Sequence, residues 1–247
     1  MKKQPMMKFF RASFCVITLL LPQMAATANS PVAPELQGEK KNIVDRSVLT
    51  QKYDAKAIED KEKLERDAAT LRQIEQSLNL VRSLKTDFIQ RAPDGSVAEG
   101  VLYLERPGKL RFDFGNDAPF LVVSNGSLLT FVDYEVKQVT RWPIKKTPLG
   151  ILVDDNIKFD STIEVPDIIR FAGLIKVPVI DPKRQEYGYI ILIFEESTME
   201  LRAWEVVDAQ GYTTRVALVN PEYNVAIDDK NFKFKDPRPS KRGPRRR

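Results

Sequence analysis

Residues 97–114 read VAEGVLYLERPGKLRFDF, and the parsing of that stretch decides the fold. Gly100, Leu102 and Leu104 fall at alternate positions, with Val101, Tyr103 and Glu105 between them. A period of two belongs to a strand that shows one face to a core. Pro107-Gly108 breaks the run, and Leu110, Phe112 and Phe114 resume it, so the stretch predicts two antiparallel strands at residues 97–106 and 109–114. The same alternation carries Arg106 to the leucine face at the strand's end. A guanidinium turned inward needs hydrogen-bond acceptors. The other reading is an edge arginine whose head reaches water.

The texture extends in both directions. Upstream lie a strand at residues 84–92 and the turn Pro93-Asp94-Gly95-Ser96. Downstream, strands at 120–124 and 128–132 flank Asn125-Gly126, a pair suited to a type I′ turn, where both central residues need positive φ. Strands are again expected at 187–195, 201–208, 212–219 and 223–226, with Asp208-Ala209-Gln210-Gly211 as a hairpin turn. Residues 148–154 and 165–176 suggest short helices. Before the strands, Leu64, Ala68, Leu71, Ile74, Leu78 and Val81 recur at three and four among charged residues, the pattern of an amphipathic helix at 55–82.

Nine to eleven sequential strands are too many for a flat sheet, so the expected fold is mainly β with helices (α+β). It is an unclosed antiparallel β-barrel, capped by the N-terminal amphipathic helix and a short helical insert. Leu102, Leu104, Leu110, Phe112, Phe114, Leu121, Val123, Leu129, Phe131, Ile191 and Ile193 are the candidates for its apolar cavity. Leu71, Ile74, Leu78, Leu149, Ile151 and Leu152 are the candidates for its lid. Taken singly, each cavity candidate reads more readily as plain core.

The termini have a different character. Lys2, Lys3, Lys8 and Arg11, then an apolar run and Ala26-Thr27-Ala28, predict a secretory signal peptide at residues 1–28. A polar leader at 29–54, the folded domain at 55–236 and a basic disordered tail at 237–247 would follow. The single cysteine, Cys15, lies within the signal, follows Phe14 and is no lipidation site. With no other cysteine and no histidine, thiolate nucleophiles, disulfides, Cys-ligated metals and the usual serine triad are excluded. Asp154/Asp155 and Glu195/Glu196 are the acid pairs an enzyme would use, and such neighbours ordinarily sit on solvated turns. No catalytic residue, cofactor or metal is expected. Of the 39 basic residues, four lie in the signal and six in the tail, which leaves 29 against 34 acids in between. That balance argues against a nucleic-acid partner.

The motifs Phe88-Ile89-Gln90, Glu99-Gly100-Val101-Leu102-Tyr103-Leu104, Arg106-Pro107-Gly108-Lys109-Leu110-Arg111-Phe112 and Leu121-Val122-Val123-Ser124-Asn125-Gly126 occur in one order. Gln138-Val139-Thr140, Thr147-Pro148-Leu149, Asp208-Ala209-Gln210-Gly211 and Asn231-Phe232-Lys233-Phe234 continue it. In order and spacing, over residues 68–237, the chain resembles the periplasmic outer-membrane lipoprotein carriers, the LolA-like family. The resemblance implies a monomeric periplasmic carrier whose half-barrel holds the acyl chains of lipoproteins. It implies an inner-membrane ABC-type extractor as donor, and an outer-membrane acceptor or the outer membrane itself as recipient. It also implies that Arg106 bonds to the helical lid and that Leu110 contacts partners during handover. A lipid-binding sensor that does not transport is the alternative. The long leader and the tail ending Arg245-Arg246-Arg247 depart from the family pattern.

Overall fold

The computed structural model describes residues 46–115 and 118–239, with side chains from residue 55 onward. The expected signal, most of the expected leader and most of the basic tail lie outside the described residues. The sheet lies within the unit formed by residues 50–247.

A helix, α1 (Arg46–Leu80), opens the described region, so the end of the expected leader is helical. No Gly or Pro interrupts it. Its apolar stripe is shorter than the sequence suggests. Residues 55–66 are exposed throughout, Leu64 at 71%, and packing begins near Thr70, Ile74 and Leu78. The missing partner explains the difference, since period alone does not say how far a neighbouring surface extends.

Eleven strands follow among the described residues: β1 (Ser83–Arg91), β2 (Val97–Glu105), β3 (Lys109–Asp113), β4 (Phe120–Asn125), β5 (Leu128–Asp133) and β6 (Gln138–Pro143). Then come β7 (Ile169–Phe171), β8 (Leu174–Val179), β9 (Tyr189–Glu195), β10 (Leu201–Val207) and β11 (Thr213–Tyr223). They form one sheet in the order β6-β5-β4-β3-β2-β1-β11-β10-β9-β8-β7. Every pairing is antiparallel, as short connections require. The first and last strands meet in the middle, while β6 and β7 remain unpaired edges, so the barrel is unclosed.

Four local readings change, one being the expected strand at 223–226, of which only Tyr223 is strand, as the end of β11. Residues 165–176 hold strands β7 and β8 rather than a helix, joined by Ala172 and Gly173 at φ 51° and 76°. The apolar run there hid a two-residue hairpin. The β4–β5 turn is centred on Gly126-Ser127 instead of Asn125-Gly126, with positive φ at Gly126 and not at Asn125. Strand β6 had no clear alternation to announce it.

Between β6 and β7, two 3-10 turns (Ile144–Lys146 and Pro148–Val153) begin a long insert. Ile144, Leu152, Val153, Ile157 and Ile168 from the insert share one apolar cluster with Ile74 and Leu78 of α1 and with the sheet's inner face. The outer face carries a smaller cluster of Leu121, Val123 and Val132, against which Val139 and Phe234 pack. Phe234 belongs to a C-terminal strap that crosses β3: Lys109 pairs with Asp229 at 2.7 Å, and Arg111 donates to the Asn231 and Lys233 carbonyls at 3.2 and 3.3 Å. Among the described residues no helix is long and apolar enough to cross a membrane.

Candidate functional site

The inner face is lined by aromatic rings in series. Phe88 meets Phe112 and Phe114 edge-on at 5.3 and 5.2 Å, and Phe112 meets Trp204 at 6.3 Å. Phe114 meets Phe120 at 4.7 Å, and Phe120 stacks on Phe131 at 6.2 Å. These residues sit on β1, β3, β4, β5, β10 and the loop after β3, so the series crosses the concavity. Such contacts give about 0.5–1.5 kcal/mol each beyond burial alone. Gly100 makes room for one of them: a Cβ there would lie 2.9 Å from a Phe88 ring carbon and 2.1 Å from the Asp113 carbonyl oxygen.

Leu102, Leu104, Leu110, Phe112 and Leu129 are buried in this wall, and Phe114 packs against it. Four other cavity candidates lie elsewhere. Leu121 and Val123 point to the outer face, because Val122 and Ser124 are the residues opposite inward Phe112 and Leu110. On β9 the inward residues are Ile190, Leu192 and Phe194, so Ile191 and Ile193 face outward, although Ile193 is buried. Both strands are apolar at almost every position, and a continuous apolar run carries no information about which side faces in. Phe88, Phe120 and Trp204 were not among the candidates; Trp204 lies in a strand whose burial pattern breaks strict alternation.

Ile74, Leu78 and Leu152 are buried in the main cluster, and Leu71, Leu149 and Ile151 pack against it. They come from α1 and from the Pro148–Val153 turn, and Arg106 joins the two pieces. Its Nε donates to the Leu152 carbonyl at 3.0 Å. Its Nη1 donates to the carbonyls of Leu78 and, at 2.9 Å, of Val81. The last carbonyls of a helix have no partner within it and form the negative end of its dipole. Arg106 therefore acts as a cationic C-terminal cap for α1. Asn224 completes the cap, donating to the Leu80 carbonyl at 3.1 Å and accepting from the Arg82 backbone N–H at 2.8 Å. Asn79 ties the insert to the same end of α1: it donates to the Ile157 carbonyl and accepts from the Ile157 N–H, both at 2.8 Å.

Arg106 is 7% exposed and its side chain bonds only neutral carbonyls. Burial, with help from the neighbouring Arg82 charge, draws its pKa down to about 10, against the pull of Asp154 and Asp155. The guanidinium is still charged at neutral pH, so protonation does not limit the cap. Asp155 itself pairs with Arg82 at 2.5 Å on the surface, and Glu195 and Glu196 lie near Arg202 and Arg170 at 3.6 and 4.0 Å. Asp155, Glu195 and Glu196 are thus engaged in ion pairs of limited burial, and Asp154 accepts the Asp155 backbone N–H at 2.8 Å.

Beneath the cap is a cavity of about 300 Å³, lined mainly by Leu78, Val81, Leu84, Leu104, Leu152, Leu201, Trp204 and Leu218 beside Arg106. Elsewhere the lid's side chains pack on the wall, and a second hollow of about 450 Å³ lies between the insert and the strand residues Val179 and Ile190. The site is thus an unclosed sheet whose apolar hollow is covered by α1 and the insert, with Arg106 joining the two covers.

The comparisons name the family. The model for "Outer membrane lipoprotein carrier protein LolA" matches residues 79–235, and the chain belongs to that family. The outer-membrane lipoprotein carrier protein of Dechloromonas aromatica is 30% identical over 69% of this chain and 85% of its own. That of Methylococcus capsulatus is 27% identical over 65% and 80%. The solved structure of a LolA superfamily protein from Nitrosomonas europaea aligns at TM-score 0.40 and 11% identity, over 66% of this chain and 97% of that one.

Proposed function

We propose that this protein is a periplasmic carrier that accepts the acyl chains of lipoproteins at the inner membrane and delivers them to the outer membrane. An ABC-type extractor would load it, and an outer-membrane acceptor or the membrane itself would unload it. The observation that carries this reading is the Arg106 latch, which fastens α1 and the insert over an aromatic-lined hollow.

The lid residues and an acyl chain compete for the same wall. Transfer of a buried methylene from water is worth ~0.8 kcal/mol, but exchange of a lipid chain for Ile74, Leu78 and Leu152 is apolar for apolar and nearly neutral. Small polar terms then set the direction. Opening breaks the Arg106 bonds and closing restores them, so the latch favours release. The cycle needs no catalytic group in this chain.

Arg106→Leu tests the reading. Protein recovered from the periplasm is analysed by mass spectrometry of intact complexes. The expected result is a one-to-one complex with an acylated lipoprotein, accumulated in the variant and turned over in the wild type. Empty protein in both, or free phospholipid alone, would overturn it.

A further inference from the structure

Two buried polar groups among the described residues have no hydrogen-bond partner, the Trp204 indole Nε1–H and the Tyr223 hydroxyl. Both residues line the one cavity of about 300 Å³ beneath the Arg106 cap. Trp204 is 1% exposed, so water does not reach its N–H from outside. An unpaired buried donor ordinarily forfeits ~1–3 kcal/mol, and native proteins leave few of them. The indole can only donate, and the phenol can donate as well, so both groups are free to bond an acceptor that enters the cavity. The carbonyls that come near this pocket are already engaged, those of Leu78, Val81 and Leu152 by Arg106 and that of Leu80 by Asn224. Ser77, Thr198 and Glu200 also line the pocket and carry oxygens, yet neither donor bonds to any of them.

A hydrocarbon chain would leave both groups unpaired. A ligand that places a carbonyl oxygen among leucines would pair them. We infer that Trp204 and Tyr223 form a recognition site for the ester or amide carbonyls at the head of acylated cargo, holding the linkage while the chains lie along the aromatic wall. This rests on the carrier reading and deepens it. It makes the pocket selective for acyl groups over plain alkyl chains, because only acyl groups bring the missing acceptor. Unfilled donors in the empty state also serve turnover: cargo entry gains bonds that the closed, empty lid does not supply, which offsets the latch.

The test uses the full chain and two synthetic probes. One is a short peptide whose N-terminal cysteine carries an S-diacylglyceryl group; the other is its dialkyl-ether twin with the same chain lengths and no ester carbonyls. Affinities are measured by competition against a fluorescent fatty-acyl reporter. Wild type should prefer the ester probe about fivefold for each hydrogen bond formed. Tyr223→Phe, nearly isosteric, should keep its affinity for the ether probe, lose about fivefold for the ester probe, and melt no earlier than wild type when empty. Trp204→Phe should lose the preference likewise. Equal affinity of wild type for the two probes, or a preference unchanged in both variants, overturns the site and leaves the carrier reading standing. Wild type that binds neither probe overturns both.

Discussion

The two faces of the sheet are closed in opposite ways. On the inner face, one buried guanidinium reaches three backbone carbonyls and holds a helix end and an insert over an aromatic wall. On the outer face, a strap is fastened by the exposed pair of Lys109 with Asp229 at 2.7 Å, while Lys109 also pairs with Glu105 of β2 at 2.6 Å, and Phe232 and Phe234 are tucked beneath. Lys109 and Arg141 also lie over those two rings at 5.5 and 5.7 Å. The difference is in what a failure costs. A buried cap leaves orphaned carbonyls when it is lost, whereas an exposed pair is replaced by water. The inner closure therefore behaves as a switch and the outer one as a set of small increments.

The largest effect expected is from Arg106→Leu in the empty protein. Loss of the cap should lower stability by ~1–3 kcal/mol for each buried carbonyl left unpaired, read by chemical denaturation, and raise hydrogen exchange in residues 148–153 more than in β3. Arg106→Lys should recover only part of this, since an ammonium cannot present the planar fork of donors. Next comes Gly100→Ala, whose added methyl meets backbone at 2.1 Å. It should cost ~1–3 kcal/mol by shifting β2 against β3, with a matching fall in melting temperature. On the outer face Lys109→Ala should cost no more than ~1 kcal/mol, and the cost should shrink in high salt. Leu64→Ala, on the exposed half of α1, should stay within ~0.5 kcal/mol of wild type.

Acid separates the faces without mutation. The bond from Lys109 lowers the Asp229 carboxyl, and Arg238 takes Asp236 down to about 2. Folded values below the ordinary carboxylate value mean stability that is complete above it and lost as pH falls through the lowered ones. The strap should loosen in that acid range. The Arg106 cap, bonded to carbonyls, should hold through it. Residue-resolved hydrogen exchange between pH 5 and 2 checks the order, and simultaneous loosening would show that the closures are coupled.

Much of this was legible in the residues. Period two placed Gly100, Leu102, Leu104 and Arg106 on one face, and the structure sets Arg106 inward with bonded acceptors. The strand count and the meander order also followed from alternation and short turns. What alternation could not do was choose a side in FLVVS or YIILIF, where nearly every residue is apolar; there Leu121, Val123, Ile191 and Ile193 turned outward. Nor could it mark where the surface under α1 ends, which left Leu64 in solvent.

By itself the sequence determined an antiparallel sheet too long to lie flat, a helix to cover it and an arginine in register with the leucine face, because these depend on local period. Only the tertiary structure decided that the arginine caps the helix it faces, that rings from distant strands form one wall, and that Trp204 and Tyr223 share a pocket with their polar groups unpaired. Those facts depend on which residues meet across long loops. Chain order leaves that open until strands pair and the lid docks.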